Sequence, residues 1–209
     1  MKVSQTLVNV TRSLAINAYQ LREFSDYSSV EDWFHSLEQR FSVGRLSAFI
    51  TLLGTMIGAK ILNVSSAPYE PYGASAALLV GQEQHHLAHL DASHIAAHSY
   101  FDASDRVAQF RLEIEISTCG PGHPSSLIET VLKETDADFA QLDYRVRGLV
   151  WNDDGEPDLA GDKLRLESLE LADYEPVFQT STGRSGCYVE LTRVGLDREI
   201  GRLVELMKG

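Results

Sequence analysis

Apolar residues recur along this chain with two different periods, and the change between them divides it. From about Thr6 to Leu21, Leu7, Val8, Val10 and Leu14–Ile16 supply the apolar side of a strand and its exit. Ser28-Ser29-Val30-Glu31 has the form of a capping box, which predicts a helix over Asp32–Phe41. A longer helix follows, because Leu46, Phe49, Ile50, Leu53, Ile57 and Ile61 recur at helical spacing and make one buried face. Gly54 and Gly58 inside it allow close packing on a sheet, at a cost in helix propensity. Beyond that point the period falls to two. Ala74–Val80, His94–Phe101 and Phe110–Ser117 read as strands bounded by turn residues.

In Phe110-Arg-Leu-Glu-Ile-Glu-Ile116 the alternation is strict. Phe110, Leu112, Ile114 and Ile116 take one face; Arg111, Glu113 and Glu115 take the other, which is wet or lines a site. Pro124 with Ser125–Glu134 predicts a helix, Gln141–Trp151 a strand, and Asn152–Gly161 an acidic loop. Val177–Thr180 and Cys187–Thr192 are strand-like, and Asp197–Met207 reads as a terminal helix. Strand runs mixed with helices predict one α+β domain over residues 1–209: a sandwich of a mainly antiparallel β-sheet with helices packed on one face.

Composition narrows the function. The 209 residues are 44% hydrophobic and 23% charged, ordinary for a folded domain, and carry a formal net charge of −12. No basic stripe is available to neutralise phosphates, so nucleic acid is not an expected partner. The opening MKVSQTLVNVTRSL lacks the apolar core of a signal peptide, and Leu46–Leu62 is too polar to span a bilayer, so no membrane association is expected. Two cysteines, Cys119 and Cys187, read as individual thiols, and the cytoplasm is the expected location.

The chemistry concentrates between Pro71 and Gly120. His85, His86, His89, His94 and His98 lie there, followed by Cys119. One reading is a metal site built on His94 and His98. On a strand, however, residues four apart stand roughly 13 Å from each other, too far to share an ion, so no metal is expected. A second reading is a Cys119 nucleophile served by His98 or His94. Taken singly, Ser93, His98 and Cys119 also read as a strand-edge serine, a core histidine and a small apolar filler. Tyr100 reads as a core residue.

A third reading rests on resemblance. Leu90-Asp91-Ala92-Ser93-His94-Ile95-Ala96-Ala97-His98-Ser99-Tyr100 closely resembles the self-cleavage segment of S-adenosylmethionine decarboxylases. Phe110–Gly120 resembles that family's strand followed by Ser-Thr-Cys-Gly, and Tyr69-Glu-Pro-Tyr-Gly-Ala-Ser75 its P-x-G-x-S turn. Asp143-Tyr-Arg-Val-Arg-Gly148 and Ile57-Gly-Ala-Lys-Ile-Leu-Asn63 are similar to segments of the longer bacterial class. The tail is shorter than usual for that class, and Cys187 has no family counterpart and reads as structural.

The resemblance implies a self-processing, pyruvoyl-dependent decarboxylase cut at Ala92–Ser93 into a β chain (1–92) and an α chain (93–209). A carboxylate leaves an amino acid only if an electron sink is provided, and here a covalently bound pyruvoyl group made from Ser93 is implied. The Ser93 hydroxyl would attack the Ala92 carbonyl, and His98 would remove the Ser93 α-proton. Ser75 matches the second processing serine, and Cys119 the acid that returns a proton to the substrate. Tyr69 matches an aromatic that stacks on adenine, and Asp102 stands where a glutamate grips ribose hydroxyls.

Three residues depart from the pattern, one of them Phe101, which stands where the family has proline. Ala92 replaces a charged residue before the serine, and Asp102 is one methylene shorter than the family glutamate. The implied substrate is S-adenosylmethionine, for polyamine (spermidine) synthesis. A basic amino acid such as ornithine or arginine is the alternative on the same scaffold, and an unprocessed regulatory pseudoenzyme is a third. The implied partners are a small-molecule substrate and further copies of the chain, in a homodimer or higher assembly of αβ units.

Overall fold

The computed structural model describes residues 10–81, 93–119, 122–151, 154, 156–160, 171–181 and 185–208. In chain order its elements begin with β1 (Thr11–Glu23), α1 (Tyr27–Arg40), α2 (Val43–Met56), β2 (Lys60–Pro68) and β3 (Ala74–Gly81). They continue with β4 (Ser93–Ala103), β5 (Val107–Thr118), a 3-10 turn (Pro124–Leu127), α3 (Ile128–Thr135) and β6 (Phe139–Arg147). The last are β7 (Leu149–Trp151), β8 (Pro157–Leu159), β9 (Tyr174–Ser181), β10 (Gly186–Arg193) and α4 (Asp197–Lys208). Eight strands form one sheet in the order β2-β3-β4-β5-β1-β6-β10-β9, while β7 and β8 make a separate hairpin. Every pairing in the large sheet is antiparallel.

The two-residue period of the strands divides this sheet into a dry face and a wet one. On β1, Leu14, Ile16 and Ala18 are buried, whereas Ser13, Ala15, Asn17 and Tyr19 between them are half-buried. β5 repeats the pattern, burying Phe110, Leu112, Ile114 and Ile116 and turning Arg111, Glu113 and Glu115 outward, as its alternation predicts. The helices cover the dry face. α2 presents buried Leu46, Ile50 and Leu53, and α1 lays Phe34 edge-on against Phe101. α3 adds Val131 and Leu132 to the same core. Each such side chain contributes about 1.5–3 kcal/mol by leaving water. The architecture is therefore the predicted α+β sheet with helices on one face.

Several local expectations are corrected. The cap of α1 is Asp26, not the Ser28–Glu31 box. Its carboxylate accepts from Ser29 N–H at 2.9 Å and Ser28 Oγ at 2.7 Å, and these donors pull its pKa down to about 2. The second helix ends at Met56, and Gly58, with φ +70°, turns the chain instead of continuing it. Ile61 consequently belongs to the edge strand β2, which is exposed along most of its length and so carries no hydrophobic alternation. The predicted strand Gln141–Trp151 is divided at Gly148, with φ +131°, into β6 and β7. The acidic loop expected over 152–161 contains β8.

α4 docks where β1 ends. Arg202 Nη1 donates to Glu23 Oε2 at 2.8 Å, Arg106 donates to the other oxygen at 2.9 Å, and Ile200 and Leu203 are buried.

Two outcomes are expected from these contacts. A Cβ at Gly54 would lie 2.7 Å from the Cδ2 of fully buried Leu78. Gly54→Ala gains about 1 kcal/mol of helix propensity but overpacks a tight core at about 1–3 kcal/mol. Urea unfolding is expected to show net destabilisation. The two arginines, with the Arg202 hydrogen bond foremost, hold the Glu23 carboxyl below its ordinary value. A lowered carboxylate contributes stability above its unfolded pKa and loses it as pH falls through its folded one. Amide exchange in α4 should therefore quicken severalfold in Glu23→Gln at pH 7, and wild type should converge on the variant in acid.

Candidate active site

β3 and β4 place one set of groups side by side on the wet face. Ser75 pairs with His98, His98 pairs with Glu113 of β5, and Asn17, Gln141 and Glu190 continue the row across β1, β6 and β10. Paired residues of an antiparallel ladder point to the same side, with Cβ atoms about 5 Å apart. Ser75 and His98 are thus neighbours in space, although 23 positions separate them in the chain.

Tyr69 reaches the same spot from the end of β2. Its hydroxyl lies 2.9 Å from His98 Nδ1. The turn that delivers it depends on Gly73, whose φ of +111° favours glycine. A Cβ there would lie 2.5 Å from the Ser99 carbonyl oxygen and 3.2 Å from Tyr69 Cδ2. The turn is closed by Tyr69 N–H donating to the Gly73 carbonyl at 2.8 Å. Ser99, the buried polar residue of β4, accepts from Ala74 N–H at 2.8 Å and so joins β3 to β4 beneath the site.

Tyr100 is not a core residue. It shares His98's face, half-buried, with its ring 6.2 Å from the imidazole and the Arg111 guanidinium 4.3 Å above its own centroid. Burial first, and the Glu113 carboxylate second, push its phenol above the ordinary value. Asp102 lies two residues further along the same face. Its carboxylate accepts from Ala103 N–H at 2.9 Å and from Gln109 Nε2 at 3.4 Å.

A second set of groups sits at the other end of β4. Ser93 opens that strand with its backbone opposite Val80. Its side chain, Ala92, and the histidines 85, 86 and 89 lie outside the described residues. His94 pairs with Ser117, so Cys119, two residues on and half-buried, leaves β5 at the end where Ser93 enters β4. Ser117 Oγ is 3.3 Å from Ser13 Oγ, which also accepts from Arg147 at 2.6 Å.

Distance separates the two sets. Five residues of strand place Ser93 about 17 Å from His98, and six place Cys119 about 20 Å from the residue opposite His98. A Cys119–His98 nucleophile pair within one chain is thereby excluded. His94 and His98 do lie on one strand four apart, about 13 Å from each other. Among the described residues, no three His, Cys, Asp or Glu side chains gather in a way that could hold a metal ion. Sequence reasoning did not find the Tyr69–His98 bond. The signal it offered was a hydroxyl on the aromatic before the Glu-Pro turn.

An antiparallel sheet backed by helices defines an α+β protein, and Ser75, His98 and Tyr100 stand together on its uncovered face. No protein-family profile matches the chain. The S-adenosylmethionine decarboxylase proenzyme of Marinobacter nauticus is 30% identical over 166 residues, covering 70% of this chain and 63% of that protein. The proenzymes of Clostridium perfringens, over 171 residues, and Hahella chejuensis, over 166, match at the same identity and coverage. The chain is a homologue of the S-adenosylmethionine decarboxylase proenzymes, as its motifs imply, and spans 63% of the length of the curated relatives it matches.

Solved structures give weaker likenesses. The adenosylmethionine decarboxylase of Aquifex aeolicus is 12% identical with a TM-score of 0.40, covering 68% of this chain and 93% of that one. The Trypanosoma brucei AdoMetDC-delta26 monomer is 13% identical with a TM-score of 0.40, covering 87% and 65%. Likenesses at that level carry no functional argument. No helix among the described residues is long and apolar enough to cross a membrane.

The Gly73 turn supplies a test of how the site is held. Gly73→Ala should cost about 1–3 kcal/mol in urea unfolding, through backbone strain and the clash with Ser99. Gly44→Ala, in open space on α2, should be neutral or stabilising by up to about 1 kcal/mol.

Proposed function

We propose that this chain is the precursor of a pyruvoyl-dependent decarboxylase that cuts itself between Ala92 and Ser93 and acts on S-adenosylmethionine. The observation that carries the reading is the register of three adjacent strands. It sets Ser75 against His98, and brings Ser93 and Cys119 to one sheet end. The homologous proenzymes supply the reaction class.

The residues fit the group this reading requires. A hydroxyl amino acid is needed at 93, because its oxygen must attack the preceding carbonyl and turn an amide into an ester. An imidazole and a thiol are the side chains whose protons exchange most readily near neutral pH. In processing, Ser93 Oγ bonds to the Ala92 carbonyl carbon and the Ala92–Ser93 C–N bond breaks. His98 then takes the Ser93 α-proton, and the electron pair of that C–H bond expels the ester oxygen as the Ala92 carboxylate. Hydrolysis of the dehydroalanine left behind releases ammonia and leaves the pyruvoyl end. Ser75, beside His98, hydrogen-bonds the tetrahedral oxygen during the first step. The pyruvoyl carbonyl, once formed, supplies the electron sink for decarboxylation. Cys119 returns a proton to the substrate α-carbon, and Asp102 accepts from substrate hydroxyls at the far end of the face. The product would serve as an aminopropyl donor in spermidine synthesis.

The roughly 17 Å between Ser93 and His98 supports a further part of the reading. Two copies pair through a two-fold axis, and the His98 and Ser75 of one serve the Ser93 of the other.

An intact mass spectrum of the purified protein tests the first claim. Two chains, 1–92 and 93–209, are expected, the second blocked at its N-terminus, and Ser93→Ala is expected to stay whole. His98→Ala should slow cleavage by about 10²-fold or more. A wild-type chain that never cleaves would favour the regulatory pseudoenzyme. Refolding Ser93→Ala together with His98→Ala tests pairing, because only a shared site restores cleavage of the His98→Ala chain. Carbon dioxide release from S-adenosylmethionine, and not from ornithine or arginine, is the expected substrate result. Release from either amino acid instead would move the chemistry to that substrate.

A further inference from the structure

We propose that the Tyr69 hydroxyl is a positioning group for His98, one that assigns proton transfer to a single ring nitrogen. This inference rests on the self-processing reading and names a residue of that site whose expected role was stacking alone. The geometry is direct. Tyr69 Oη lies 2.9 Å from His98 Nδ1, which leaves Nε2 as the nitrogen that can meet a substrate proton.

A neutral imidazole carries one proton, and the hydrogen bond at one nitrogen sets what the other can do. If Nδ1–H donates to the Tyr69 oxygen, Nε2 presents a lone pair and the ring is a base. If the phenol donates to Nδ1 instead, Nε2 carries the hydrogen and the ring cannot accept a proton there. We assign the first arrangement, with the phenol hydrogen turned to solvent, since Tyr69 is only half-buried. When Nε2 takes the α-proton of residue 93, the ring becomes an imidazolium. Its Nδ1–H then donates to Tyr69 from a charged group, a stronger bond than the neutral one it replaces. No proton leaves Tyr69 in this step.

The surroundings hold both rings in place. The Gly73 turn brings Tyr69 within 3.2 Å of where a Cβ would stand, and Tyr100 flanks both rings, at centroid distances of 6.3 Å from Tyr69 and 6.2 Å from His98. A phenylalanine at 69 would keep that packing and lose only the oxygen.

The test uses the full chain carrying Ser93→Ala, so that cleavage does not interfere, with the histidine nitrogens labelled. Long-range nitrogen–proton spectra are expected to show the His98 tautomer with hydrogen on Nδ1. In Ser93→Ala/Tyr69→Phe they should show loss of that preference, with backbone amide spectra otherwise unchanged. Hydrogen on Nε2 in the parent, or the same tautomer in both, overturns the proposal. In the cleavable chain, Tyr69→Phe should lengthen the half-time of cleavage about tenfold while Tyr69→Leu does worse, having lost the ring as well. Equal half-times for wild type and Tyr69→Phe would also overturn it. A wild-type chain that never cleaves sinks the self-processing reading instead, and the tautomer spectra still decide the role of Tyr69.

Discussion

The pleat of β4 governs where the chemical groups of this chain stand. Ile95, Ala97 and Ser99 alternate inward beneath α1 and α2, so His94, His98 and Tyr100 have to face outward. Slipping β4 by one residue would drive His98 into the core and turn Ile95 to water. The neighbours forbid it, since Leu78, Ile95 and Ile116 meet across three strands and all are fully buried. At about 1.5–3 kcal/mol for each such side chain, apolar burial on one face fixes the geometry of polar groups on the other. Ser99, polar on the dry side, is tolerated because Ala74 supplies its hydrogen-bond partners.

The wet face is tied together by its own hydrogen bonds. Tyr19 donates to Gln141 at 3.1 Å, Gln141 to Glu190 at 3.4 Å, and Tyr188 to the same carboxylate oxygen at 2.7 Å. Arg145 grips Asp143 with two bonds, of 3.0 and 2.7 Å, and Arg111 lies over Tyr100. Such mutual engagement removes rotamer freedom from the long side chains, so less has to be given up when something binds there.

Much of this was legible in the residues because burial writes its period into them. The alternation of β5, the apolar face of α2 and the motif residues Ser75, His98 and Cys119 were all visible without coordinates. The edge strand β2 was not, since exposure along its length removes the alternation that marks a strand. The cap of α1 was misread because Asp26, Ser28 and Ser29 all offer cap-forming oxygens, and the carboxylate won by gathering both serines. Tyr100 reads as a core residue in the sequence, although its even spacing from His98 puts it on the open face. The Tyr69 bond is tertiary, made by a turn whose direction no local pattern records.

The length of β4 has one consequence for how such a chain would come of age. If the chain processes itself as proposed, the bond to be cut and the base that completes the cut are held apart by a rigid ladder. Local flexing within one chain does not close a gap of that size. Maturation then has to wait for association, and a chain without a partner copy stays whole. Activity would appear only in assembled particles, and the scar at residue 93 would be a permanent record that assembly had taken place.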